Sequence, residues 1–259
     1  MELWDSHCHL QDERYGAEVG GVIQRALQAG VARMVCCGTR EEDWPRVLEL
    51  AAEHDCLVPM LGLHPWFVGE ARPGWLERLG ELARKHPLGI GECGLDFAIG
   101  NPDRPGQEQA FAVQVRLARD LDRPLSIHCR QAWESLIRIC REEGLPQRGA
   151  VVHAFSGSPE VALQLQDLGL SLAFGCSLAN PANKRAPKAL LAVREDRLLL
   201  ETDSPDIPPR HLPDWPPEGL NEPRYLALVL ETAARIKGIE VQELAEQTTR
   251  VAERIFLYV

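Results

Sequence analysis

Eight short apolar or β-branched runs, each ending in polar residues and followed by a stretch of helical period, constrain this chain more than any other feature. The runs lie at residues 3–6, 33–37, 57–63, 88–92, 124–128, 149–153, 171–174 and 198–202. Helical periodicity covers 17–29, 44–53, 74–85, 107–121, 132–143, 159–168, 186–192 and 222–237, with a further stretch at 241–256. A crossover helix returns each strand in the same direction, so the alternation implies parallel pairing. Eight such units predict an α/β fold: a single (β/α)8 TIM barrel with an extra C-terminal helix, one domain over residues 1–259. An open doubly wound sheet is the alternative. No glycine-rich phosphate fingerprint follows the first run, which weakens a dinucleotide-binding reading.

Composition narrows the function. Lys and Arg total 28 against 38 Asp and Glu, a formal charge of −10, which argues against non-specific nucleic-acid binding over the whole surface. It leaves open a nucleic-acid substrate held by metal ions and a few local cations. No apolar run approaches the ~20 residues that span a bilayer, so no membrane association is expected. The residues around Met1 lack the basic-then-apolar pattern of a signal peptide. The eight cysteines contain no C-x-x-C pair. They read as buried thiols in a reducing cytoplasm, with a zinc–thiolate site as the alternative.

The polar residues that end the runs carry the chemistry. His7 and His9 are spaced i, i+2, which puts both imidazoles on one face of a strand. Glu92, His128 and His153 end the fourth, fifth and sixth runs, and Asp203 follows the eighth. In a barrel all six side chains lie at the C-terminal end, where active sites are built. A single strand-end histidine is more often a packing residue, but five of the eight histidines (7, 9, 64, 128 and 153) fall at strand ends. His54 and His86 instead suit the negative ends of helices, and His211 lies in a loop. Four imidazoles and two carboxylates exceed the need of one tetrahedral ion with an open position, and two divalent ions would use them all. Imidazole-rich ligation favours Zn, Mn, Fe or Co over Mg.

Asp5-Ser6-His7-Cys8-His9-Leu10, Gly62-Leu63-His64-Pro65, Gly91-Glu92-Cys93-Gly94-Leu95-Asp96, His128-Cys129-Arg130, His153-Ala154-Phe155-Ser156-Gly157, Glu201-Thr202-Asp203-Ser204-Pro205 and Asn221-Glu222-Pro223 together resemble the motifs of the TatD-type metal-dependent hydrolases of the amidohydrolase superfamily. The match runs in order from residue 5 to 223, nearly the whole chain. The resemblance implies a TIM barrel with a two-metal centre and a cytoplasmic, monomeric enzyme without an obligate protein partner. It also implies hydrolysis of phosphodiester bonds in DNA, as a deoxyribonuclease or 3′–5′ exonuclease, with activity often supported by Mg. By position, His7, His9 and Asp203 would hold one ion, His128 and His153 the second, and Glu92 would bridge them. His64 would face the substrate phosphate and Arg130 would meet a phosphate oxygen. Asp203 would also hold the attacking water and accept its proton. Relatives outside the family often bridge their metals with a carboxylated lysine; Glu92 occupies that strand here.

Two features bear on the substrate. The long loop at 204–221 carries six prolines with Arg210, His211 and Trp215, and would stand over the mouth. Arg14, Lys184, Arg185, Arg210 and Arg224, with Trp66 and Trp215, would form a small platform for nucleotides by charge and stacking. Against this, Asp206 stands where the family commonly has an aromatic or apolar residue, and an extra carboxylate there would repel phosphates. The competing enzyme reading keeps the metal centre and cleaves an ester or amide bond, as a deacylase of mischarged aminoacyl-tRNA or a small-molecule hydrolase. A third reading is a non-catalytic metal- or partner-binding barrel; the presence of all six proposed ligands argues against a decayed site.

Overall fold

The computed structural model describes residues 2–209 and 219–257. Arg210, His211 and Trp215, with the tip of the proline-rich loop, lie outside the described residues.

Eight strands form one parallel sheet in chain order. They are β1 (Leu3–Cys8), β2 (Val31–Cys37), β3 (Leu57–Leu61), β4 (Gly89–Asp96), β5 (Leu125–Arg130), β6 (Ala150–Val152), β7 (Ser171–Phe174) and β8 (Leu198–Leu200). The helices are α1 (Val19–Gln28), α2 (Trp44–Glu53), α3 (Trp75–Lys85), α4 (Arg104–Asp120), α5 (Trp133–Glu143), α6 (Pro159–Asp167), α7 (Ala186–Leu191), α8 (Leu226–Lys237) and α9 (Val241–Phe256). The sheet curls until β8 meets β1. The Asp203 N–H donates to the His7 carbonyl at 3.0 Å, and the His9 N–H to the Ser204 carbonyl at 2.7 Å. This is the (β/α)8 barrel, and α9 is the extra C-terminal helix. No helix among the described residues is long and apolar enough to cross a membrane.

Two apolar layers hold it. One lies between strands and helices, with Leu61, Ile90, Phe111, Ile127 and Leu172 among its members. The other fills the barrel interior with Trp4, Val35, Val58, Met60, Val151, Ala173 and Leu199. The latter is closed from below by Val251, Ala252, Ile255 and Phe256 on one face of α9. The N-terminal half of the barrel is therefore packed apolar core, and polar chemistry is confined to the C-terminal half.

Strand alternation then decides which side chains point inward. Val151 is an interior residue, so His153 is too; Leu199 is interior, and Glu201 and Asp203 follow the same parity. Ile127 packs outward, which turns Ser126, His128 and Arg130 inward. Strands β1 and β4 break parity. On β1 Trp4 is interior, yet His7 and His9 are as well; the pairing of β1 with β2 shifts register between Asp5 and Cys8. On β4 Ile90 and Cys93 both pack outward, and the pairing with β5 shifts between these two residues, which brings Glu92, Gly94 and Asp96 inward. Such irregularities re-aim side chains, and both occur at the residues that enter the site.

Two glycines allow the strands to close on the site. A Cβ on Gly94 would lie 2.0 Å from the His128 carbonyl oxygen, and its φ is +140°. A Cβ on Gly62 would lie 2.7 Å from the Glu92 carbonyl oxygen. Backbone contact at both places is what lets β3, β4 and β5 converge around Glu92.

Candidate metal centre and active site

Glu92 is the centre of the site. It is buried, and five imidazoles surround its two oxygens. Oε1 lies 2.7 Å from His153 Nε2, 3.1 Å from His128 Nδ1 and 3.2 Å from His64 Nε2. Oε2 lies 3.3 Å from both His7 Nε2 and His9 Nε2. Asp203 Oδ1 completes the cluster, 3.6 Å from His9 Nε2, 3.8 Å from His7 Nε2 and 4.0 Å from His153 Nδ1. Asp203 has φ +56°, a left-handed conformation that Asp tolerates better than most residues, and its N–H on the His7 carbonyl fixes it there.

The outer nitrogens of the rings fix what the inner ones can do. His9 Nδ1 lies 2.7 Å from the Cys37 carbonyl oxygen, which can only accept, so Nδ1 carries a proton. Its Nε2 faces Glu92, Asp203 and His7 Nε2, the last at 3.2 Å, and in the neutral ring would offer a lone pair there. His128 Nε2 donates to Asp96 Oδ2 at 3.1 Å, which turns the Nδ1 lone pair toward Glu92 and His153. Imidazole nitrogens and carboxylates crowded together in a buried site call for positive charge among them, carried by protons on the rings or by a bound cation. His64 differs. Its Nδ1 accepts the Trp66 N–H at 3.2 Å, so Nε2 bears the proton and donates toward Glu92.

Burial and charge pull these groups apart. Burial pushes His7 and His64 down to about 4 each, despite Glu92 beside them. Burial also opposes charge on His128 and His9, but carboxylates prevail. Asp96 and Glu92 lift His128 to about 9, and Asp203 and Glu92 raise His9 well above its usual range. Burial works against the Glu92 carboxylate, yet the surrounding imidazoles hold it well below the usual carboxylate range.

Three groups of side chains, His7–His153–Asp203, His7–His9–Glu92 and His64–Glu92–His128, each place candidate ligand atoms within 4.8 Å of one another. Two buried atoms without a partner fit the same conclusion: His153 Nδ1, and Glu201 Oε2 on the carboxylate whose Oε1 lies 3.9 Å from that nitrogen. Once the inner nitrogen gives its lone pair to a cation, the proton of a neutral His153 sits on Nδ1, beside Glu201. The donor set of imidazoles and carboxylates therefore fits divalent metal binding. The eight cysteines are free thiols, none of which belongs to these groups.

The structure brings His7, His9, Glu92, His128, His153, Asp203 and His64 together in one cluster. Arg130 is at the rim, half exposed, with one guanidinium nitrogen 3.5 Å from Asp96 Oδ2. Arg14 is bound by two carboxylates, Asp12 at 2.7 Å and Asp206 at 2.9 Å. The pairing removes Arg14 as a free platform cation, and one guanidinium between two carboxylates leaves the trio with a net negative charge. Arg224 pairs with Glu222 at 3.2 Å. Three acids behind the site were not singled out from sequence. Asp96 orients His128, Glu201 stands behind His153, and Asp5 holds the Thr202 N–H and hydroxyl at 2.9 and 2.5 Å. For two of them the signal is parity: Asp96 is four residues beyond Glu92, and Glu201 two before Asp203 in the segment that continues β8.

A barrel with a buried imidazole–carboxylate cluster at its C-terminal mouth defines a metal-dependent hydrolase. The family model for TatD-related DNase matches residues 4–257, and the chain belongs to that family. The chain is 33% identical over 258 residues to the Bacillus subtilis protein named uncharacterized metal-dependent hydrolase YabD, covering 98% of each chain. It is also 33% identical to the Erwinia tasmaniensis protein named 3′-5′ ssDNA/RNA exonuclease TatD, covering 98% of this chain and 99% of that protein. The crystal structure of YjjV, a TatD homologue from Escherichia coli K12, superposes with a TM-score of 0.92 at 29% identity, covering 98% of this chain and 97% of that one.

Proposed function

We propose that the protein is a cytoplasmic, monomeric nuclease that shortens DNA from its 3′ end, using two divalent ions of the Zn, Mn, Mg, Fe or Co group. His7, His9 and Asp203 would hold one ion and His128 and His153 the other, with Glu92 between them. The observation that carries the reading is the convergence of His9 Nε2 and His128 Nδ1 on Glu92, with the opposite nitrogen of each ring held by an acceptor. The likeness to a relative named as a 3′-5′ exonuclease supports the choice of substrate. Eight free thiols, seven of them buried, suit a reducing compartment.

Divalent ions bound at such a cluster supply Lewis acidity toward a phosphoryl oxygen and lower the pKa of water. Asp203, held ionised by its imidazole neighbours against the burial that disfavours it, would accept the proton of the attacking water. His64 would donate its Nε2 proton to a phosphate oxygen that displaces its contact with Glu92. Arg130 would place a guanidinium against another oxygen at the rim.

A second reading, an ester or amide hydrolase such as a deacylase of mischarged aminoacyl-tRNA or a small-molecule hydrolase, is favoured by the capture of Arg14 between Asp12 and Asp206. The two separate in a substrate panel of single-stranded and duplex DNA, RNA, an aryl phosphodiester and aminoacyl esters, assayed with each metal. Metal-dependent shortening of DNA supports the nuclease. Ester cleavage without nucleic-acid cleavage transfers the function to the deacylase class.

A further inference from the structure

Trp66 is the second residue of the short helical turn Pro65–Glu70 after β3, at the barrel mouth. It is 52% exposed, an unusual state for an indole, yet it is held at both ends. Its indole N–H donates to Asp96 Oδ2 at 2.8 Å, and its backbone N–H to His64 Nδ1 at 3.2 Å. The ring meets His64 edge to face, at 4.9 Å between centroids, and stands 6.3 Å from the His128 ring. Of the other exposed large apolar side chains among the described residues, Leu27, Leu163 and Leu191 lie on α1, α6 and α7, outside the barrel, and Ile207 lies on the loop after Asp203. Trp66 is the one aromatic ring among these five, and the acid that holds it is the one that orients His128 and pairs with Arg130.

An indole fixed through its N–H, with much of its surface open to solvent, loses little freedom when a flat partner stacks on it. Its distance from the Glu92 cluster is short enough that a phosphate bound at the cluster and Arg130 places the base of the same terminal nucleotide within reach of the ring. We propose that Trp66 is the stacking subsite for the terminal nucleobase, with Asp96 as the positioning residue that ties this subsite to His128. The proposal rests on the nuclease reading. Stacking accepts any base, so the subsite favours an unpaired 3′ end over a paired one without reading sequence.

The test is equilibrium binding by the metal-loaded protein of two fluorescein-labelled single strands with phosphorothioate linkages at the 3′ end. One ends in a normal nucleotide and the other in an abasic one. The wild type is expected to bind the base-bearing strand about 5- to 150-fold more tightly. Trp66→Ala should remove that ratio by weakening only the base-bearing strand, and Trp66→Phe should keep most of it. A ratio that persists in Trp66→Ala overturns the proposal. Equal binding of both strands by the wild type also overturns it and leaves the nuclease reading standing. Binding of neither strand overturns the nuclease reading, and this inference with it.

Discussion

His128 sits between two carboxylates at equal distance: its Nε2 is 3.1 Å from Asp96 Oδ2 and its Nδ1 is 3.1 Å from Glu92 Oε1. The outer contact fixes the tautomer that makes the inner nitrogen a ligand. Asp96 is itself fixed, its N–H held by Gln107 Oε1 at 2.8 Å and its Oδ1 by the Ala98 N–H at 2.9 Å. Removing the outer charge should therefore weaken metal binding without unfolding the barrel. Asp96→Asn is expected to lower metal affinity about 10- to 100-fold, measured by competition with a colorimetric chelator. Unchanged affinity would show that His128 needs no such partner.

Metal binding should also be visible as stability. The cluster crosses from β1 to β8, so an ion bound there stabilises the closed barrel and not the unfolded chain. At a free metal concentration about a thousand times the dissociation constant, linkage contributes about 4 kcal/mol. For a chain of this size, chelation is then expected to lower Tm by roughly 10 °C in scanning calorimetry. A Tm unaffected by chelator would argue against an ion in the native protein.

Gly94 should tolerate no side chain. A Cβ there meets the His128 carbonyl oxygen at 2.0 Å, in a backbone conformation rare for other residues. Gly94→Ala is expected to separate β4 from β5 and destabilise the protein by more than about 4 kcal/mol, read as a large drop in Tm or loss of soluble expression. A variant of near wild-type stability would contradict the close approach of these strands.

Away from the site, Glu41 gives a pH signature. It joins the β2–α2 loop to α3 through Arg78 Nε at 2.7 Å and Arg72 Nε at 3.4 Å. Burial disfavours its charge, but Arg78 and Arg72 prevail and hold it below its ordinary 4.5. A depressed carboxylate stabilises the fold fully above its unfolded value and loses that contribution as pH falls through its folded value. Glu41→Gln should thus lower Tm near pH 7, and the gap should begin to shrink as pH falls below the ordinary 4.5 and vanish once pH is under the folded value. A gap independent of pH would assign the effect to shape and not to charge.

Much of this site is legible in the chain because barrel strands deliver their last inward residues to one place. The boundaries are less so. Read as strand terminators, Ser6 and Glu92 end the first and fourth runs early, whereas β1 reaches Cys8 and β4 reaches Asp96. Polar residues normally mark a strand end; here they are interior, because the buried partners of a metal cluster replace water. Conversely β6 and β8 stop short, at Val152 and Leu200. Beyond them Ala154 and Asp203 adopt positive φ, which no local pattern foretells. Helix α4 begins at Arg104 and not at 107, since Asp103 caps it by accepting the Gly106 N–H and Pro105 suits its first turn. The register shifts that turn His7 and Glu92 inward, and the pairing of Arg14 with Asp206 across 192 residues, depend on tertiary contacts.

In the proposed reaction Asp203 and the Glu92-centred cluster together hydrolyse a phosphodiester. Its most direct test is single-turnover cleavage of end-labelled single-stranded DNA by Asp203→Asn and wild type, each loaded with the same metal and checked for equal metal content. Metal-dependent shortening is expected from the wild type, with at least a roughly 100-fold slower step in the variant, the scale of a lost general base. Equal rates, or shortening that survives chelation, would contradict it.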